Sequence, residues 1–252
     1  MRSLPLSTQT LFLFLSLLTT FFFTPKTTLA TTETTPEPVL DTSGQELQPG
    51  ASYYILPSHG IGIGGGGLTF GTTTTTSQND SCPHVVLQEP NDTMKGQPVQ
   101  FLIFANKSTT PLNDDVVLTS TNLIVKFTNP SPGTTSCGES RVWKLRRFLR
   151  SAMIVGTNGA EGREEYGVLI NMFKIEKVNN NNNNIYKLRF CASKGLACGD
   201  LGIYLCENKR FLRLAIVQMP EIHPLSVVFH KAHHADPVMI MSPHGATTPT
   251  NP

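Results

Sequence analysis

Between residues 38 and 234 no segment sustains an apolar stripe at helical spacing, and this narrows the possible folds more than any other feature. The chain is instead cut into short runs of β-branched and aromatic residues, separated by Gly, Pro and Asn clusters. These runs are residues 53–56, 85–88, 99–104, 123–127, 168–175, 186–191, 202–205, 211–218 and 225–229. Several alternate cleanly: Tyr186, Leu188 and Phe190 share one face while Lys187 and Arg189 take the other, as a half-buried strand requires. Residues 146–153 come nearest to a helical pattern. Many short strands with frequent turn signals predict an all-β barrel or sandwich.

The two ends lie outside that pattern. Arg2 supplies a positive n-region, residues 11–23 are apolar apart from Ser16, Thr19 and Thr20, and Thr28-Leu29-Ala30 reads as a small-residue cleavage site. The apolar run, about 13 residues long, is short of the roughly 20 that a membrane helix needs. Residues 1–30 are therefore read as a signal peptide, with a signal anchor as the alternative. Residues 31–37 are a Thr/Pro/Glu leader with little to bury and are expected to be disordered. Residues 235–252 read as a flexible tail.

Loss of residues 1–30 removes Arg2 and Lys26, which takes 20 basic residues to 18 against 18 acidic ones. A near-neutral chain with a secretion signal excludes nucleic acid as an expected partner, and no later apolar stretch is long enough to span a membrane. Five cysteines in a secreted chain imply disulfides with one thiol left over. Asn79, Asn91 and Asn106 each open an Asn-x-Ser/Thr sequon, which marks them as surface glycosylation candidates. The glycine-dense stretch 60–67 lacks the Gly-Lys-Ser/Thr ending of a phosphate loop and reads as a flexible surface loop. The six asparagines at 179–184 read as a tolerated hairpin-loop expansion.

Specific motifs then appear. Val39-Leu40-Asp41-Thr42-Ser43-Gly44-Gln45-Glu46-Leu47 is followed by a Pro49-Gly50 turn and Tyr53-Tyr54-Ile55-Leu56. This opening resembles that of plant Kunitz-type (soybean trypsin inhibitor) proteins. The likeness continues through Cys82-Pro83-His84-Val85-Val86-Leu87-Gln88, Gly96-Gln97-Pro98-Val99-Gln100-Phe101 and Val142-Trp143-Lys144-Leu145. It goes on through Phe173-Lys174-Ile175-Glu176-Lys177, Tyr186-Lys187-Leu188-Arg189-Phe190-Cys191 and Cys198-Gly199-Asp200-Leu201-Gly202. The miraculin-like branch is the more similar one. The resemblance implies a β-trefoil over residues 38–234, with about twelve short strands in pseudo-threefold arrangement. It implies disulfides pairing Cys82 with Cys137 and Cys191 with Cys198. Cys206 is then unpaired: a free thiol that is buried and inert, a partner displacing Cys198, or a link to a second chain.

The resemblance also implies inhibition of a secreted serine endopeptidase, trypsin- or chymotrypsin-like, by a loop that docks as a substrate does. That loop falls at residues 105–115 and includes Asn106, Lys107, Ser108, Pro111, Leu112, Asn113 and Asp114. Counting at family spacing from Cys82 puts the reactive bond at Asn106–Lys107, and counting back from residues 123–127 puts it at Asn113–Asp114. Lys107 suits a trypsin-like pocket and Leu112 a chymotrypsin-like one. The chain departs from the family in a longer loop, in a sequon at Asn106, and in Pro49 where the family has a bracing asparagine. The alternative is a non-inhibitory miraculin-like storage, carbohydrate-binding or receptor-binding trefoil. No cofactor is implied, a monomer is expected, and the destination is extracellular or vacuolar.

Other chemistry finds little footing. The chain has no Gly-x-Ser-x-Gly, His-Glu-x-x-His or Cys-x-x-Cys motif, so an enzyme is not expected. His230, His233, His234 and Asp236 could bind a metal but read as solvated. Arg141, Lys144, Arg146, Arg147 and Arg150 around Trp143 read as outward strand positions.

Overall fold

The computed structural model describes residues 35–58, 64–72, 84–103, 115–128, 140–148, 152–160, 172–178, 184–191, 198–206, 209–216 and 225–233. Pro36–Pro252 forms one compact unit, and the fold is that of this unit. Every regular element among the described residues is a strand: β1 Ser52–Pro57, β2 Leu68–Thr72, β3 His84–Gln88, β4 Val99–Ile103, β5 Leu123–Phe127 and β6 Lys144–Phe148. These are followed by β7 Ala152–Gly156, β8 Phe173–Lys177, β9 Tyr186–Cys191, β10 Cys198–Cys206, β11 Lys209–Ile216 and β12 Ser226–Lys231.

Six strands close a ring. β1 pairs with β4, β4 with β5, β5 with β8, β8 with β9, β9 with β12 and β12 with β1, all antiparallel. The other six form the hairpins β2–β3, β6–β7 and β10–β11. β7 joins the three hairpins, bonding to β3 at Gly156 and to β11 at Ile154. One unit therefore repeats three times: four strands whose outer two pair in the ring while the inner two form a hairpin. This is a β-trefoil. Closing the ring removes the open strand edges that would invite pairing with other chains.

Period-two alternation supplies the core. Tyr186, Leu188 and Phe190 of β9, and Phe173 and Ile175 of β8, are buried with their charged neighbours outward, and Val227 and Phe229 of β12 are buried in the same alternation. The aromatic rings run in contact through the interior. Phe127 lies 5.5 Å from Trp143, Trp143 5.8 Å from Phe173, and Phe173 5.8 Å from Phe190. On the other side Tyr186, Phe229 and Phe101 are linked at 5.5 and 5.4 Å. Edge-to-face contacts at such spacings add to the burial of the rings themselves.

The opening motif has a structural reason. Buried Asp41 accepts the amides of Ser43 and Gln45 on Oδ1, at 2.8 and 3.0 Å, and Gly44 takes the left-handed φ of 77° that completes the turn. Leu40 N–H donates to the hydroxyl of Tyr186 at 2.9 Å, and Thr42 N–H to the carbonyl of Phe229 at 2.8 Å. The motif thus caps the barrel.

Some sequence expectations need correction. The glycine stretch is not a free loop over Gly64–Gly67, because Gly66 and Gly67 are buried. Their amides donate to the carbonyls of Glu89 and Met94, both at 2.8 Å. The ordered chain also reaches into the expected leader. Glu37 N–H donates to Thr119 Oγ1 at 2.9 Å, and its carboxylate meets Lys177 Nζ at 3.2 Å.

Candidate functional site: the two stems of the β4–β5 loop

The segment expected to carry the reactive bond joins β4 to β5, and both of its stems are tied to the N-terminal stretch 37–51. On the entry side, the turn at Pro49-Gly50 lies against β4. Gly50 N–H donates to the carbonyl of Phe101 at 3.0 Å, and Gln100 Nε2 donates to the carbonyl of Gly50 at 2.7 Å. Gly50 takes φ 76°, and the ring of Pro49 fixes its own φ at the position before it in this turn. Gln48 N–H completes the arrangement by donating to the Tyr53 hydroxyl at 3.0 Å.

On the exit side, Val117 is inserted between Val39 and Leu47, and all three are fully buried. Their backbones close a ring of three hydrogen bonds: Val39 N–H to Val117, Val117 N–H to Leu47 and Leu47 N–H to Val39, at 2.9, 2.8 and 2.8 Å. Two residues on, Thr119 and Glu37 exchange a second pair of bonds at 2.8 and 2.9 Å. Ser120 takes an uncommon φ of 60°, held by its N–H on the Ile175 carbonyl and its Oγ on Glu176 Oε2 at 2.8 Å.

Each such bond contributes roughly 1 kcal/mol net. Their joint effect is geometric: a loop whose ends are fixed has less freedom to lose when it is seated in a partner. The Tyr53 phenol beneath the entry stem is held above its ordinary range. Burial is the main cause and the Asp41 charge adds to it, against the opposing bond from Gln48. Burial likewise raises the Glu89 carboxyl just after β3, opposed by a bond from Thr69 of β2.

The predicted site residues are placed unevenly. Asn106, Lys107, Ser108, Pro111, Leu112, Asn113 and Asp114 lie outside the described residues, as do Asn79, Cys82 and Cys137. Asn91 is exposed in the turn between β3 and β4. Cys191 and Cys198 are directly opposite across β9 and β10 and are disulfide-bonded. Cys206 therefore does not displace Cys198. Its backbone sits at the register irregularity opposite Lys209 and Arg210.

The indole of Trp143 is fully buried, so it cannot form a stacking platform amid the basic residues. Arg141 lies over the ring of Phe70 at 5.7 Å. Among the described residues no three His, Cys, Asp or Glu side chains converge as a metal site. His230 instead meets Thr42 Oγ1 at 3.1 Å, while His234 and Asp236 lie outside the described residues. Sequence reasoning missed the roles of Gln100, Val117 and Thr119. The only signal for them was the Pro49-Gly50 turn, which announces a reversal but not what it rests on.

Comparison with known proteins gives a consistent answer. The chain matches the legume Kunitz family, described as trypsin and protease inhibitor, over residues 39–231. It is 38% identical over 185 residues to the 21 kDa seed protein of Theobroma cacao, covering 71% of this chain and 76% of that protein. Against Kunitz trypsin inhibitor 5 of Arabidopsis thaliana identity is 32% over 209 residues, covering 81% and 90%. The structure of MP-4 from Mucuna pruriens is similar at TM-score 0.60 and 34% identity, covering 78% of this chain and 99% of that one.

Proposed function

The chain belongs to the Kunitz family of trypsin and protease inhibitors, and on that premise we propose that it inhibits a secreted serine endopeptidase through residues 105–115. The observation that carries this reading is the double tether. Gly50 holds the strand that enters the loop, and Val39 and Leu47 hold Val117 where the chain leaves it. A peptide bond carried between two fixed stems can be offered to an active site at little ordering cost. After cleavage the new ends stay close to each other, so religation competes with release. The side chain on the acyl side fills the specificity pocket, with Lys107 serving a trypsin-like enzyme and Leu112 a chymotrypsin-like one.

The same reading makes the protein a monomeric binder without cofactor or catalytic activity, delivered by residues 1–30 to the apoplast or vacuole. Progress curves with trypsin, chymotrypsin and subtilisin test it on secreted, disulfide-formed protein. Nanomolar inhibition is expected, and either Lys107→Ala or Leu112→Ala should weaken it by about 100-fold or more, as for an interface hot spot. Folded protein that inhibits none of the three would reject it.

A second reading, a non-inhibitory storage or binding trefoil, is favoured by the similarity to a seed protein. It predicts that proteases cut residues 105–115 without remaining bound.

A further inference from the structure

We propose that Asn91 is an N-glycosylation site of this protein. The turn between β3 and β4 carries the sequon Asn91-Asp92-Thr93, and residues 90–93 are all exposed, so a glycan there displaces no packed side chain. The sequon is already folded into a compact geometry. Asn91 Oδ1 accepts both Thr93 N–H at 3.0 Å and the Thr93 hydroxyl at 2.9 Å, and Met94 N–H donates to the Asn91 carbonyl at 3.1 Å. Both bonds to the side chain fall on the carboxamide oxygen. Nδ2, the atom that must react, makes no hydrogen bond to the described residues.

Every one of these bonds lies within Asn91–Met94, so the geometry of the sequon is set locally. That matters because transfer precedes complete folding. Nδ2 attacks the anomeric carbon of a lipid-diphosphate-linked oligosaccharide in the secretory lumen. The N–C bond forms as the C–O bond to phosphate breaks, the lipid diphosphate leaves with the electron pair, and the displaced amide proton passes to a base of the transferase. The threonine hydroxyl two residues on, which sequon recognition requires, is here already beside the carboxamide.

In the folded protein β4 lies between the glycosylated turn and the point where the chain leaves towards residues 104–114. Residues 89–96 lie at the N-terminal end of β4, whereas residues 104–114 follow its C-terminal end. Five residues of strand, at about 3.3 Å each, separate the two. The base of the turn is anchored by the amides of Gly66 and Gly67 on the carbonyls of Glu89 and Met94. The glycan therefore projects from a fixed stem at the other end of that strand.

The inference rests on the reading that the chain enters the secretory pathway, and the test separates the two. The full chain is expressed in plant cells with its own residues 1–30, and in parallel with an unrelated signal peptide before residue 31. Secreted protein is digested, enzymatically deglycosylated and mapped by mass for conversion of Asn91 to Asp. Conversion at Asn91 is expected, and Asn91→Gln and Thr93→Ala should each migrate one glycan faster than the parent. Conversion seen only behind the unrelated signal peptide would uphold the site and reject the native leader. Secreted, folded protein whose Asn91 peptide is wholly unmodified behind either leader would overturn the proposal.

Discussion

Tyr53 joins the core to the candidate site through a single hydroxyl. Its ring is fully buried, and its oxygen accepts the Gln48 amide beneath the entry stem. Because burial raises its folded-state pKa, the neutral phenol is the form the fold retains. In the unfolded chain the group titrates near the ordinary value of about 10. This contribution to stability is therefore complete below about pH 10 and is lost as pH rises through the folded value. Tyr53→Phe should cost about 1 kcal/mol at neutral pH, and its deficit relative to the parent should shrink above about pH 10, as read from urea midpoints between neutral and alkaline buffers. A deficit that stays constant would remove the phenol from the alkaline transition. None of this was legible in the sequence, which marked Tyr53 as strand but not as an acceptor. Gly67 misled in the opposite sense. A Cβ there would lie 1.9 Å from the carbonyl oxygen of Lys95, so the glycine serves close backbone approach. Composition cannot distinguish that use from mobility.

At the level of elements, the strands with strict alternation were the readable ones. In β9 the residues Tyr186, Leu188 and Phe190 announce both the strand and its inward face. The unread elements each had a physical reason. β2 is hidden between the glycines and a threonine run, and Gly71 interrupts its pattern. In β6 the basic residues Lys144, Arg146 and Arg147 blur the alternation, and hairpin pairing with β7 decides the element. The disulfide Cys191–Cys198 spans a sequence separation of 7 between paired strands. Closing so short a loop contributes about 2.5 kcal/mol in the chain-entropy model. Replacing both cysteines by serine should lower stability by about that amount, seen as a matching drop between parent and variant melts. The two should coincide under reducing conditions, and a double variant as stable as the oxidised parent would remove the bridge from the accounting.

For the whole molecule, the signature motif was readable as a family mark before its role was. Only the structure reveals Asp41 as a cap and Val39, Leu47 and Val117 as a hydrogen-bonded ring. The core passes through all three repeats, so it should melt as a unit. Trp143 is the only tryptophan and is fully buried against Phe127 and Phe173. Its emission should shift to the red in the same denaturant transition that removes the far-ultraviolet strand signal. Two separated transitions would mean that the hairpins come apart from the barrel. The ring closure has one further consequence. β1 pairs with β12 over five residue pairs, from Tyr53 with Lys231 to Pro57 with Val227. During synthesis the first strand therefore waits for the last, with most of the domain emerging between them. Strand pairing at such sequence distance is slow. A newborn chain thus carries an unmatched opening strand, a species open to association, until β12 arrives to pair with it.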